Sequence, residues 1–190
     1  MKMNQSGLLK VKLIFILKGM YFMNLRKLTL SSLLLAIGMV LHQVVPPFLF
    51  GMKPDFLLST MFIAIMLSDD YKLTLLIGLT AGILTAATTT FPGGQIPNMI
   101  DKLITCNLIY FILQTLKNKL NNQIKISIIS ILGTLVSGTV FLGSALIITG
   151  LPGSFLSLIL VVVIPATLFN LGACMILYNA ANLATKKIGL

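Results

Sequence analysis

The charged side chains of this chain are few, and two pairs of them stand where they could bind a charged solute. The sequence has four Asp, one His and no Glu. Asp55 follows Lys53, Asp101 precedes Lys102, and each pair lies beside the edge of a long hydrophobic run. Ionisable residues at membrane depth are candidate functional groups, because burying them is costly. A carboxylate could hold a substrate ammonium and a lysine a substrate carboxylate; alternatively these side chains extend to the lipid headgroups or pair with each other.

No motif in the sequence supplies a catalytic centre or a cofactor site. There is no HExxH, no Ser combined with a suitable His and acid, and no acidic cluster with metal-ligand spacing. Gly93 and Gly94 are not followed by the GK[ST] of a phosphate-binding loop. A lone His such as His42 is more typical of a packed residue than of a base, and we keep it as a candidate for solute binding. We predict a protein that is not an enzyme and uses no cofactor or metal, so that any ATP hydrolysis belongs to partner subunits.

The composition is that of an integral membrane protein. Of the 190 residues 57% are hydrophobic and 9% are charged, and the mean hydropathy is +1.02, whereas charged residues make up about 25% of ordinary soluble domains. The formal net charge of +10 comes from Lys and Arg between the hydrophobic runs, without a basic face that carries interleaved aromatic residues. We therefore predict the lipid membrane as the environment and no nucleic acid as a partner.

Residues 85–102, TAATTTFPGGQIPNMIDK, interrupt the hydrophobic pattern with polar, turn-forming and charged residues. The FPGG segment cannot continue a helix, because Pro lacks the N–H and Gly weakens helical order. Pro97 is acceptable in the first turn of a new helix, which then carries Asp101 and Lys102 into the membrane. We interpret the Gly-Gly turn as a hinge or a point of close approach above a solute site.

Six hydrophobic segments alternate with short polar loops, so we predict an all-α membrane protein with six transmembrane helices in one bundle. A helix needs about 20 apolar residues to cross the hydrocarbon, and the second segment is shorter, so we expect it to be short or tilted. The sixth contains Pro165, which should kink it. Gly78, Gly82 and Ala86 recur at four-residue spacing in the third and indicate close helix packing. The predicted helices span residues 28–45, 56–67, 73–90, 96–116, 126–149 and 155–184.

The chain divides into a basic N-terminal extension, residues 1–22, and one transmembrane domain, residues 23–190. The extension contains only a short apolar segment between lysines, which is typical of a helix at the membrane surface. Alternatively, synthesis begins at Met23, whose MNLRKL looks like a cytoplasmic start, and the extension is a start-site artefact. No second domain or long-period repeat is evident in the sequence.

The distribution of Lys and Arg predicts that both termini face the cytoplasm. With the N-terminus inside, 12 of the 14 Lys and Arg residues are cytoplasmic and only Lys53 and Lys102 face outward; without residues 1–22 the count is 8 against 2. Cytoplasmic loops of membrane proteins carry such an excess. Asp69 and Asp70 fall in an inner loop and fit a solvated turn. The segments that face outward are residues 46–55, 91–101 and 150–154.

Two segments of the chain resemble a known family. LAIGMVLHQVVPPFLFGMKPD, residues 35–55, and TAATTTFPGGQIPNMIDK, residues 85–102, are similar to the bacterial tryptophan transport proteins of Firmicutes, which resemble the substrate-binding S components of energy-coupling-factor (ECF) transporters. The resemblance covers nearly the whole chain from Met23 onward. It implies a six-helix protein of the bacterial cell membrane that captures a small solute from outside, together with a transmembrane coupling protein and two cytoplasmic ATPase subunits. Ser32 and Ala36 resemble the small-residue face by which the first helix docks that partner, with Ser replacing the usual Ala.

Tryptophan binding, which the resemblance implies, fits the residues of the outward-facing segments. Asp55 or Asp101 could hold the ammonium, and Lys53 or Lys102 the carboxylate. The indole needs a flat apolar slot and one acceptor for its N–H. The candidate walls are Phe48, Phe50, Met52 and Phe91, and the candidate acceptors are Gln95 and Asn98.

Two other functions remain open on the sequence. A secondary carrier driven by an ion gradient would work alone, but no acidic residue is evident in the middle of a span to carry a proton or sodium ion. A membrane scaffold or assembly protein would bind no solute at all.

Overall fold

The computed structural model describes residues 25–44, 55–117 and 119–188, which form helices with short connections. Five of the described helical stretches are long and apolar enough to cross a membrane, and one further apolar helix is shorter. This arrangement confirms the predicted all-α, six-helix membrane protein, with helix ends within four residues of those predicted. The elements are α1 (Leu25–Val44), α2 (Phe56–Ser68), α3 (Tyr71–Thr88), α4 (Gln95–Leu116), α5 (Asn122–Ile148), α6 (Phe155–Leu158), a π-helical turn (Ile159–Val163) and α7 (Ile164–Ile188).

Acidic residues in the turns fix where α2 and α3 begin. Asp55 Oδ1 accepts from the backbone N–H of Leu58 at 2.9 Å, and Asp70 Oδ1 accepts from that of Leu73 at 3.0 Å. Each carboxylate satisfies a donor that the first helical turn leaves free and interacts favourably with the helix dipole. Asp69 ends α2 in the left-handed conformation, with φ 49°, which Asp tolerates better than most residues. The acidic turn between α2 and α3 therefore sets two helix ends.

Helix α2 lies in the centre of the bundle. Ten of its 13 residues are buried, and it packs against α1, α3, α4, α5 and α7. A helix of this length measures about 20 Å, less than the roughly 30 Å of the hydrocarbon core. Longer helices enclose α2. It therefore need not cross the hydrocarbon by itself.

Two of the small residues predicted to mark close packing bring α3 against α4. A Cβ atom on Gly78 would lie 2.2 Å from the Sγ of Cys106, and one on Gly82 would lie 3.3 Å from the Cα of Met99. No side chain fits at Gly78 without displacing its neighbour, so the predicted packing face is confirmed at these positions. The contact matters because α4 carries Lys102.

A π-helical turn precedes Pro165 in the sixth span. Pro165 has no N–H to donate to the carbonyl of Val161, and its ring would clash with that carbonyl in a regular α-helix. The chain instead forms i to i+5 hydrogen bonds, and the N–H of Ile164 donates to the carbonyl of Ile159. This widened turn accommodates Pro165 within the sixth span. Val163, the last residue of the turn, is buried.

Candidate functional site

A cavity of about 450 Å³ lies at the end of the bundle that the charge pattern predicts to face outward. It is bounded by the last turn of α1, the first turn of α2, the end of α3, the first turns of α4, the C-terminal half of α5 and the π-helical turn. Its volume falls in the range of small-molecule sites, about 300–1,000 Å³. We call it the outer cavity; its lining combines charged and hydroxyl groups with aromatic and aliphatic ones.

The most deeply buried charges of the outer cavity are Asp101 and Lys102 on α4, which are only 1% and 2% exposed. Lys102 Nζ donates to Asp101 Oδ2 at 2.5 Å. Ser137 Oγ donates to the same carboxylate oxygen at 2.9 Å, and Thr105 Oγ1 donates to Oδ1 at 2.9 Å. Both oxygens of Asp101 therefore have partners inside the protein. These two side chains pair with each other and do not extend to the headgroups.

Asp55 stands beside this pair with a more accessible carboxylate. Its side chain is 27% exposed, and its Oδ2 lies 3.5 Å from Lys102 Nζ. Oδ1 caps α2 and lies 3.7 Å from His42 Nδ1. The backbone N–H of Asp55 donates to Asn170 Oδ1 at 2.6 Å, which ties the start of α2 to α7. Among the described residues, the Asp55 carboxylate accepts one hydrogen bond shorter than 3.0 Å, whereas the Asp101 carboxylate accepts three.

The outer cavity holds more carboxylates than ammonium groups. Among the described residues, its ionisable lining consists of two carboxylates, Asp55 and Asp101, one ammonium, Lys102, and the imidazole of His42. Such a site favours a ligand that brings a cationic group, because a desolvated carboxylate without a counter-charge is costly.

Hydroxyl and amide groups from α5 and α7 complete the polar side of the outer cavity. Asn170 Nδ2 donates to Thr134 Oγ1 at 3.3 Å, and Ser137 bonds Asp101 from the next turn of α5. Neither Thr134 nor Ser137 is among the solute-binding residues that the sequence predicts. The available signal is that Ser130, Thr134 and Ser137, spaced by four and three residues, share one helix face; all three are buried.

An aromatic pair forms part of the apolar lining. The rings of Phe91 and Phe141 meet edge to face, with centroids 5.4 Å apart and an interplanar angle of 83°. Phe91 is one of the predicted wall residues, whereas Phe141 on α5 was not predicted. Aliphatic side chains of the π-helical turn, Val162 and Val163, also line the outer cavity. Edge-to-face ring contacts are favourable and leave ring faces for a further aromatic group.

The Gly-Gly turn is a tight turn that directly follows the cavity-lining residue Phe91. The N–H of Gly94 donates to the carbonyl of Phe91 at 2.9 Å, and Gly93 has φ 69°. Pro92 and Gly93 occupy the central positions where a type II turn favours Pro and requires a positive φ. A Cβ on Gly93 would lie 2.3 Å from Thr149 Cγ2 at the end of α5. The turn is therefore a point of close approach between the α3–α4 connection and α5.

The structure brings six of the eight predicted solute-binding residues to one cavity. Gln95 is exposed and is not part of the lining, while Lys53 lies outside the described residues, as do the candidate wall residues Phe48, Phe50 and Met52. Ser32 and Ala36 are exposed on α1. The residues brought together are His42, Asp55, Phe91, Asn98, Asp101 and Lys102.

Asp101 enters the membrane-spanning bundle with α4, as the sequence predicts. It is the seventh of the 22 residues of that helix and is 1% exposed, so it lies near the start of the span and not in its middle. At about 1.5 Å per residue, Asp101 lies about 9 Å along the helix axis from the first residue of α4. An acidic group is therefore buried inside the membrane-spanning bundle.

Comparison with known proteins identifies relatives over most of the chain. The family model described as Tryptophan transporter TrpP matches residues 24–186. A probable tryptophan transport protein of Clostridium acetobutylicum is 56% identical over 148 residues, which cover 78% of this chain and 86% of that protein. Proteins with the same description from Clostridium perfringens and Bacillus subtilis are 40% and 44% identical over 176 and 156 residues, covering 88% and 82% of this chain and 97% and 90% of theirs. No solved structure matches the chain significantly.

Proposed function

The chain belongs to the TrpP family of tryptophan transporters, and we propose on that basis that it takes up tryptophan across the bacterial cell membrane through the outer cavity. The observation that carries the proposal is the combination, in one cavity, of two carboxylates, a lysine and an aromatic pair. Tryptophan offers the complementary groups: an ammonium, a carboxylate and an indole ring.

Asp55 is the residue that binds the substrate ammonium. Among the described residues, the Asp101 carboxylate accepts from Lys102, Ser137 and Thr105 at 2.5–2.9 Å, whereas the Asp55 carboxylate accepts from Leu58 at 2.9 Å and from Lys102 only at 3.5 Å. The Asp55 side chain is also more exposed than that of Asp101, 27% against 1%. An ammonium bound there would give the Asp55 carboxylate a close counter-charge.

Lys102 and Asn98 bind the other polar groups of tryptophan. Lys102 has one short bond, to Asp101, and two long ones, at 3.4 Å to Ser137 and 3.5 Å to Asp55. A substrate carboxylate can replace the long contacts without breaking the short one. Asn98 uses its amide nitrogen to donate to the carbonyl of Gly94 at 2.8 Å, so its amide oxygen can accept from the indole N–H. Lys53 is a further candidate for the carboxylate.

The indole ring packs against Phe91 and Phe141. Burying about 200 Å² of indole at about 25 cal/mol per Å² contributes roughly 5 kcal/mol before the cost of association. Micromolar affinity needs about 8 kcal/mol. The polar anchors must therefore supply a large part of the affinity, and ligands that lack one anchor should reveal which anchor matters.

A fluorescence titration tests binding directly, because the chain contains no Trp. Selective excitation of indole then reports the ligand alone, and we expect its emission to shift to shorter wavelength on entering the outer cavity. Tryptamine, which lacks the carboxylate, should compete better than indole-3-propionate, which lacks the ammonium. If tryptophan gives no saturable signal, tryptophan binding is wrong; if tryptophan binds but indole-3-propionate is the better competitor, only the Asp55 assignment is wrong.

The protein acts as the substrate-binding S component of an ECF-type transporter. Support comes from the absence of a nucleotide-binding motif in the sequence and from the exposure of Ser32 and Ala36, which offer a small-residue face to a coupling protein. Ala36→Leu should abolish uptake in cells without weakening tryptophan binding. Ala180→Leu, at an exposed position of α7, is the matched control and should retain uptake. Normal uptake by Ala36→Leu would contradict docking through this face.

One observation favours a second candidate, a secondary carrier that works alone. Asp101 is an acidic residue buried within a span, and such residues can carry protons or cations in transporters. Vesicles that contain only the purified chain distinguish the two functions. Uptake of tryptophan driven by an ion gradient would support the carrier, whereas binding without uptake would support the S component.

A further inference from the structure

A second cavity, of about 560 Å³, lies at the opposite end of the bundle from the outer cavity. It is formed where α1 and α5 begin and where α2, α4 and α7 end. The excess of Lys and Arg predicts that this end faces the cytoplasm. We call it the inner cavity, and its charged lining residues are Lys27, Asp69, Lys117 and Lys125.

Two of these three lysines donate to neutral groups. Lys27 Nζ donates to the carbonyl of Ser68 at 2.6 Å, and Lys125 Nζ donates to the carbonyl of Lys117 at 2.7 Å. Lys117 is different, because it pairs with Asp69. Among the described residues, the lining of the inner cavity therefore carries two positive charges in excess.

The side chains of this protein cannot neutralise that excess. The sequence has four acidic residues. Asp55 and Asp101 belong to the outer cavity, Asp70 caps α3, and Asp69 is already engaged by Lys117. An external anion is therefore the natural counter-charge for Lys27 and Lys125.

The remainder of the lining favours a lipid over a free ion. Leu30, Met66, Leu67 and Leu113 provide apolar surface next to the lysines. A fully hydrated phosphate gains nothing from such surface, whereas a phospholipid places a glycerol backbone and acyl chains directly below its phosphate. Basic pockets between transmembrane helices on the cytoplasmic side are suited to lipid headgroups. We propose that the inner cavity binds the phosphate headgroup of an anionic phospholipid, held by Lys27 and Lys125.

Binding of short-chain phosphatidylglycerol to the purified, detergent-solubilised protein tests this site. We expect saturable binding by native mass spectrometry and a rise in Tm, with phosphatidylcholine and inorganic phosphate much less effective. Lys27→Gln and Lys125→Gln should each weaken phosphatidylglycerol binding about fivefold, the equivalent of about 1 kcal/mol per basic residue. Lys125→Arg keeps the charge and should retain binding.

Lys72→Gln is the matched control, because Lys72 is exposed at the same end of the bundle and does not line the inner cavity. Equal effects of phosphatidylglycerol and phosphatidylcholine, or equal affinities of Lys27→Gln, Lys125→Gln and Lys72→Gln, would overturn the proposal. If inorganic phosphate binds as well as phosphatidylglycerol, the site takes free anions and the lipid assignment is wrong. Circular dichroism of each variant keeps loss of fold separate from loss of binding.

Discussion

The two ends of the bundle contain the same ion pair in opposite surroundings. In the outer cavity, the side chains of Lys102 and Asp101 are 3% and 1% exposed; at the inner end, those of Lys117 and Asp69 are 52% and 40% exposed. The buried pair is supported by the hydroxyl groups of Ser137 and Thr105 and by the neighbouring carboxylate of Asp55, whereas the exposed pair is largely screened by solvent. The same chemical contact thus acts as a fixed part of a binding site at one end and as a minor surface contact at the other.

The largest difference between the ends should appear when the lysine of each pair is removed. Lys102→Met leaves Asp101 buried without a counter-charge and should lower the free energy of unfolding by about 3–5 kcal/mol. The same substitution should abolish tryptophan binding. Lys117→Met should cost at most about 1 kcal/mol. Denaturant titration in mixed micelles measures both. Adding Asp101→Asn to Lys102→Met should restore part of the stability, and equal losses from the two lysine variants would remove the contrast between the ends.

The Gly-Gly turn at the outer end should show an intermediate effect. Gly93 and Gly150 both have positive φ, 69° and 80°, so replacement by Ala should cost about 1–2 kcal/mol at either position. Only Gly93 is also crowded, by Thr149, since no atom lies within 4 Å of a Cβ on Gly150. Gly93→Ala should therefore lower Tm more than Gly150→Ala. Thr149→Ser removes the crowding methyl group, so in that background the Tm difference between Gly93→Ala and Gly150→Ala should become smaller. An unchanged Tm difference would contradict the contact between Gly93 and Thr149.

The smallest effect concerns the pH dependence of the exposed pair. The hydrogen bond from Lys117, supported by Gln114, lowers the pKa of Asp69 below its ordinary value of about 3.8. Its stabilising contribution is therefore fully present above that value and is lost as the pH falls through the folded-state pKa. Because the pair is exposed, we expect less than about 1 kcal/mol. Asn at position 69 can adopt the same left-handed backbone. The Tm of Asp69→Asn should therefore fall less steeply with decreasing pH than the Tm of the unmodified protein. An identical dependence of Tm on pH would show that the pair contributes nothing.

Much of the fold follows from the sequence, because hydrophobic length and turn residues are local signals. The predicted helices match the described ones closely, and the segments that carry Asp55 and Asp101 do meet in one cavity. The central position of α2 was not predictable in the same way. Its 13 residues suggested only a short or tilted span, and its enclosure depends on how five other helices pack around it.

The detailed arrangement of the site depends on contacts between helices. The sequence offered Asp55 and Asp101 as equivalent candidates for the ammonium. The packing of the helices distinguishes them, because it buries Asp101 against hydroxyl donors such as Ser137 of α5 and leaves Asp55 more exposed. Phe141 was missed for a related reason, since one aromatic residue among many apolar ones carries no signal until α5 is placed beside Phe91.

A comparison of Asp55→Asn with Asp70→Asn tests whether Asp55 binds the substrate ammonium. Both residues accept from a backbone N–H at the start of a helix, and Asn is an equally good helix cap, so each substitution removes a charge while it preserves the fold. In the indole-fluorescence titration, Asp55→Asn should weaken tryptophan binding by roughly tenfold to a hundredfold, as expected for a charged hydrogen bond of about 1.5–3 kcal/mol. Asp70→Asn should bind as the unmodified protein does. Equal tryptophan affinities of the two variants would contradict the central claim that Asp55 anchors the substrate in the outer cavity.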